Sequence, residues 1–150
     1  MTDLIHPKSI VTHRSVVQQW ECDHMGHLNV RHYMAKFDDA AWNLLAELGI
    51  NKKYFSERNG GVAAVDHHVT YKKEMVAGDS VTVRTHLALF EGKKFKMIHR
   101  MFDSITGDLV ADCELFGVHM DQTARRASEI PKDILAKGQA FLGETKKAAE

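Results

Sequence analysis

From Trp20 to Tyr33 the chain reads WECDHMGHLNVRHY, and its residue types suit three kinds of chemistry. His24 and His27 stand in an H-x-x-H spacing that invites a metal ion. Cys22 offers a thiol, and Asp23 a carboxylate that can act as nucleophile or general base. A metal needs ligands on one face of a formed helix or in a tight loop, joined by further His, Cys or carboxylate groups. Here the two histidines straddle Gly26 and no third ligand has a defined spacing, so no metal is expected. Cys22 lies between Glu21 and Asp23, and neighbouring acids raise a thiol pKa rather than lower it. Asp23 keeps two readings: a turn residue or helix cap, for which Asp is intrinsically suited, and a catalytic carboxylate.

The position of this stretch depends on a strand before it and a helix behind it. His13 to Glu21, HRSVVQQWE, is rich in β-formers and has the length of a strand. Asn29 then begins a helical pattern with Tyr33, Phe37, Ala40, Ala41, Leu44 and Leu48 on one stripe. Met34, Trp42 and Leu45 widen that stripe, so the helix is expected to be enclosed. Asn29 is a plausible N-cap and Gly49 a natural stop.

A polar linker, NKKYFSERNGG, follows, and then the period changes to two. Gly61 to Lys73 reads as a strand. SVTVRTHLALF follows, with Val81, Val83, Thr85, Leu87 and Leu89 facing one way. EGKK turns the chain into KFKMIHRMFD, and Thr106-Gly107 turns it into DLVADCELFGVHM. Strands joined by such short turns are antiparallel neighbours. The simplest arrangement is α+β: a curved antiparallel sheet of about five strands wrapped around one long apolar helix. Pro131 opens a C-terminal helix over about 130–150, weakly amphipathic and expected to lie on the surface or fray. This gives a single domain over 1–150 with a core at about 10–122. The open sheet edges are expected to be covered by further copies of the chain, in a homodimer or homotetramer.

The 150 residues carry 20 Lys and Arg against 20 Asp and Glu, so no basic excess points to nucleic acid or an anionic membrane. No apolar run is long enough to span a bilayer, and MTDLIHPKSI lacks the apolar core of a secretory signal. A cytoplasmic location is therefore expected. Cys22 and Cys113 have no disulfide or zinc spacing and are read as reduced thiols.

The ordered set ECDHMGHLNVRHY, the helix behind it, VTYKKEMVAGDSVTV and GKKFKMIHRMF resembles hotdog-fold acyl-CoA thioesterases of the 4-hydroxybenzoyl-CoA thioesterase type. The family pattern is a strand ending in Asp, two variable residues, Gly, and a helix containing Tyr; Asp23, Gly26 and Tyr33 match it. The form D-x-x-G-H-x-N also resembles a betainyl-CoA thioesterase subgroup. The likeness runs from Arg14 to Arg126, through ELFGVHMDQTARR.

The resemblance implies hydrolysis of an acyl-CoA to CoA and a carboxylic acid, with no cofactor, because CoA is part of the substrate. It assigns Asp23 as nucleophile or general base, two roles that remain open. It puts the polarising backbone amide at Val30, in the helix's first turn, where unpaired N–H groups suit an oxyanion. Gly26 and Tyr33 fall within the substrate site. His27 matches a site histidine of plant acyl-carrier-protein thioesterases, although Met25 stands where those enzymes carry Asn. Asn29 either helps position the site or only caps the helix. His67 and His68 point to opposite faces of a strand, so only one can line an acyl pocket; His67 is taken as that one. Lys93 falls on a phosphate-binding position of the family's hairpin, with Lys94 adjacent, although solvated surface lysines read equally well there. Asp38 and Asp39 lie mid-helix, as an acid does in hotdog dehydratases, but the His-Gly-Pro surroundings are missing. A quaternary ammonium on the acyl group would look to Trp20, Trp42 or Tyr33 for cation–π contact. A non-catalytic acyl-CoA binding module and an enoyl-CoA hydratase or dehydratase are the alternatives on the same fold.

Overall fold

A computed structural model describes residues 4–145. Strand β1 (Ile10–Val16) leads through a 3-10 turn (Gln19–Glu21) and an elbow into helix α1 (Val30–Glu47). A short helix α2 (Lys52–Glu57) precedes β2 (Gly60–Tyr71), β3 (Ser80–Glu91), β4 (Lys94–Asp103) and β5 (Leu109–Asp121). A two-residue strand β6 (Arg126–Ala127) pairs with β5, and helix α3 (Lys132–Gly138) follows. The sheet runs β1-β3-β4-β5-β2 with every pair antiparallel. This curved sheet on a central helix is the α+β hotdog arrangement expected from the sequence.

Helix α1 starts where Asn29, still extended, accepts the Arg31 N–H at 3.1 Å through its side chain. Its predicted stripe, Tyr33, Phe37, Ala40, Ala41, Leu44 and Leu48, is buried against the concave face of the sheet. Fully burying each of the large members is worth about 1.5–3 kcal/mol. The helix is not enclosed within one chain, however: Asp38, Asp39 and Trp42 are exposed. Lys36 is buried on its β1 side, 3.0 Å from Glu21.

Several boundaries differ from the sequence reading. The first strand ends at Val16, because Gln18 and Glu21 form a reciprocal capping box that curls the chain into the 3-10 turn. The polar linker contains α2, capped by Asn51 and anchored by the buried Tyr54. In β3 the alternation breaks at a bulge between Leu87 and Leu89, so Phe90 joins the core instead of Leu89. The C-terminal helix covers only Lys132–Gly138, followed by a 3-10 turn, and it does not simply lie on the surface: Ile134 is buried in the core. Gly138 packs directly on the Phe90 ring, where a Cβ would clash. The expected continuation over 146–150 lies outside the described residues.

Candidate active site

Cys22 and Leu28 form an isolated antiparallel bridge, and the five residues between them make a tight elbow. Asp23 N–H donates to the His27 carbonyl at 3.0 Å, and Gly26 N–H to the Asp23 carbonyl at 2.9 Å. Gly26 has a φ of +84°, the left-handed region in which glycine alone is unstrained. The elbow is tied down by Leu28 N–H to the Met75 carbonyl and by Asn29 N–H to the Glu21 carbonyl. The buried Lys36–Glu21 pair holds the same segment against α1.

Within this elbow both oxygens of Asp23 accept hydrogen bonds, Oδ2 from the Asn29 amide and Oδ1 from the Met25 N–H, each at 2.9 Å. These two donors, Asn29 first, hold the Asp23 carboxyl below the usual carboxylate range, so it is ionised at neutral pH. Asn29 thus places its oxygen on the helix as the N-cap and its amide on Asp23. The Val30 N–H, first in the helix, has no hydrogen-bond partner among the described residues.

Asp23 stands where two hollows meet. The larger, about 410 Å³, is lined by Asp23, Met25, His27, Leu28, Val30 and Tyr33 from the elbow and helix, and by Tyr71, which ends β2, and Lys72 to Glu74 after it. Tyr33 and Tyr71 meet edge to face at 5.0 Å. The Tyr33 hydroxyl donates to the Lys73 carbonyl at 3.3 Å, and burial pushes its pKa up to about 12, so it remains a neutral phenol. His27 Nε2 lies 3.1 Å from Glu74 Oε2. Lys73, which also rims this hollow, is occupied by Asp103 and Asp108, each at 3.1 Å. The smaller hollow, about 330 Å³, is lined by Trp20, Glu21, Cys22, Asp23, His24, Asn29, Arg31 and His32.

The geometry thus brings together Asp23, Gly26, His27, Asn29, Val30 and Tyr33. His67 pairs with Leu115, so it shares the concave face, but it lines neither hollow. Lys93 and Lys94 sit at the other end of the sheet. The ten residues of β4 separate them from Asp103 and Lys73, about 30 Å at the ordinary rise of a strand. A single chain therefore does not carry these lysines to Asp23. Trp42 packs against Phe55, away from both hollows. Asp39 is 3.6 Å from His13, on the β1 side of the helix. Tyr71 and Glu74 were missed by the sequence reading; their one signal was their place in VTYKKEM, a segment that already carried the resemblance. Among the described residues no group of three or more His, Cys, Asp or Glu could hold a metal ion, and no helix is long and apolar enough to cross a membrane.

Comparison with known proteins agrees with this architecture. The betainyl-CoA thioesterase of Pseudomonas aeruginosa is 25% identical over 126 residues, covering 84% of this chain and 79% of that protein. The L-carnitine dehydrogenase/betainyl-CoA thioesterase of Rhizobium meliloti is 25% identical over 115 residues, 77% of this chain. The chain spans only 23–29% of the length of three relatives of that double name. A Staphylococcus aureus protein solved in complex with CoA superposes with a TM-score of 0.84 at 18% identity, over 95% of this chain and 90% of that one. A 1,4-dihydroxy-2-naphthoyl-CoA thioesterase from Synechocystis gives 0.75 at 12% identity, over 86% and 94%. Those two likenesses show a common fold. The sequence model of the thioesterase-like superfamily matches residues 17–138, and the chain belongs to that superfamily.

Proposed function

We propose that this chain hydrolyses an acyl-CoA thioester, releasing CoA and a carboxylic acid. The observation that carries this reading is Asp23: an ionised carboxylate, fixed by Asn29 and Met25, beside the unpaired Val30 N–H and open to two hollows. In the nucleophilic route an Asp23 oxygen attacks the acyl carbon, and the carbonyl oxygen gains negative charge against the Val30 N–H. The C–S bond breaks, the CoA thiolate takes a proton from His27 or water, and a second water cleaves the mixed anhydride. In the alternative route Asp23 takes a proton from water, which attacks directly.

The larger hollow suits the acyl group, since Met25, Leu28, Val30, Tyr33 and Tyr71 give it apolar walls. An acyl group bearing a quaternary ammonium, as the names of the relatives suggest, is the specific reading we favour. It is supported by the faces of the Tyr33–Tyr71 pair and the Glu74 carboxylate, which would attract a cation. Betainyl-CoA and its neutral isostere 3,3-dimethylbutyryl-CoA separate charge from shape: the first is expected to be turned over with the higher kcat/KM. We also read β2 as the edge on which a second copy pairs. Among the described residues its one strand partner is β5, and Val65 on it is 60% exposed. Val65→Lys is expected to yield a smaller species by light scattering.

Thiol release from short, branched, aromatic and long acyl-CoAs tests the activity itself. Turnover of at least one, lost in Asp23→Asn, is the expected result. Binding that raises Tm without thiol release would mark a non-catalytic module, and loss of enoyl absorbance without thiol a hydratase.

A further inference from the structure

A thioester lying across Asp23 must send its acyl arm and its sulfur arm away from the attacked carbon in different directions. Two hollows leave Asp23 on different sides, one walled by Met25, Tyr33 and Tyr71, the other by Trp20, Arg31 and His32. If the larger hollow beside Tyr33 and Tyr71 takes the acyl arm, the second is left for the handle. We infer that the hollow formed by Trp20, His24, Arg31 and His32 holds the CoA handle of the substrate, with the pantetheine arm along Trp20 and the phosphates toward Arg31. This inference rests on the thioesterase reading of the same site.

Three features of the hollow point to such an occupant. Trp20 is 72% exposed, an unusual cost for an indole unless something covers it. Its ring is held edge-on by His32 at 5.4 Å, which leaves a face free for an amide-rich chain. The Arg31 guanidinium has no hydrogen bond or ion pair among the described residues, although carboxylates lie nearby. Glu21 is already paired with Lys36, and each Asp23 oxygen already accepts a hydrogen bond. Arg31 is thus an unspent fork of donors at the mouth of a hollow, which is the geometry a phosphate group recruits. Lys93 and Lys94, which the hairpin resemblance nominates for this role, would have to come from another copy of the chain.

The test uses two substrates that share one acyl group: the best acyl-CoA of the panel, and the matching N-acetylcysteamine thioester, which lacks phosphates and most of the arm. Arg31→Ala is expected to raise KM for the CoA ester about tenfold, the scale of one charged contact, and to leave the short ester within about twofold. Trp20→Ala is expected to raise KM for the CoA ester likewise. Binding is read separately from turnover in Trp42→Phe, which leaves Trp20 as the sole tryptophan: free CoA is expected to change its fluorescence saturably, and less so with Arg31→Ala. Equal KM changes for both esters would overturn the inference. So would a Trp20 signal indifferent to millimolar CoA, or a CoA-specific KM effect of Lys93→Ala/Lys94→Ala with none from Arg31→Ala. If no thioester is turned over at all, the activity fails while the fluorescence titration still decides the handle site.

Discussion

Asn29 does two jobs with two different atoms, and substitutions can take them apart. Its side-chain oxygen accepts from Arg31 N–H at 3.1 Å and caps α1, while its amide donates to Asp23 Oδ2 at 2.9 Å. Asn29→Ala removes both. Loss of an N-cap costs about 1 kcal/mol, which for a chain of this size lowers Tm by about 2–4 °C. Loss of the donor frees the carboxylate to rotate, and misplacing a catalytic group by about an ångström costs about a hundredfold in rate. Asn29→Asp separates the effects. It keeps the acceptor, and its charge suits the helix N-terminus, but it sets a carboxylate where Asp23 Oδ2 had a donor. The sign for the Asp23 carboxyl follows: its native pKa is depressed, chiefly by Asn29, so Asn29→Asp raises it. The acid limb of kcat/KM should therefore move to higher pH. Urea unfolding and thiol release measured from pH 4 to 9 on both variants give the answer. Asn29→Asp should stay nearer to wild type in stability than Asn29→Ala and lose at least as much activity. Wild-type activity and an unmoved acid limb in Asn29→Asp would refute the reasoning.

Other consequences follow from the same geometry. Lys36→Met strands the Glu21 carboxylate, 6% exposed, inside the β1–α1 seam; urea unfolding should show a loss of about 3–5 kcal/mol, much of it recovered in Glu21→Gln/Lys36→Met. Glu74→Gln removes the carboxylate partner of His27, and kcat should fall several-fold, with KM raised for an acyl group that bears a quaternary ammonium. Added to Asp23→Asn it should cost nothing more, because the two act in one step. His99 is fully buried, and burial pushes its pKa down to about 3. Unfolding lets it take a proton below its ordinary value near 6.5, so stability should decline as pH falls from about 6.5 toward 3, by up to about 1.4 kcal/mol per pH unit. His99→Phe should flatten that decline; an equally steep curve would assign it to other groups.

The parts of the fold that were legible in the sequence are those fixed by periodicity. The apolar stripe from Tyr33 to Leu48 and the alternation of Val81, Val83, Thr85 and Leu87 depend only on which face is buried, and both were read correctly. The bulge before Leu89 was not legible, because an extra residue leaves the local composition unchanged. Helix α2 was hidden by its polar residues: only Tyr54 is buried, and Asn51 as a cap reads equally well as a loop residue. At the site, Asp23, Gly26 and Asn29 stood out because they act within one short elbow. Tyr71 and Glu74 lie some forty residues downstream, and no local spacing ties them to His27 or Tyr33. The placing of Lys93 and Lys94 was not legible either. They belong to a separate stretch, GKKFKMIHRMF, and within one chain the full length of β4 carries them away from the elbow.

The central claim is that the Asp23 carboxylate cleaves the thioester. Its most direct measurement is the single-turnover rate of thiol release by Asp23→Asn with the best substrate at saturation, with Tm recorded on the same sample. Asn is nearly isosteric and Asp23 lies in an open elbow, so folding should be preserved. The rate is expected to fall at least about a thousandfold with Tm within a few degrees of wild type. A variant that folds, binds and releases thiol within a few-fold of the wild-type rate would contradict it.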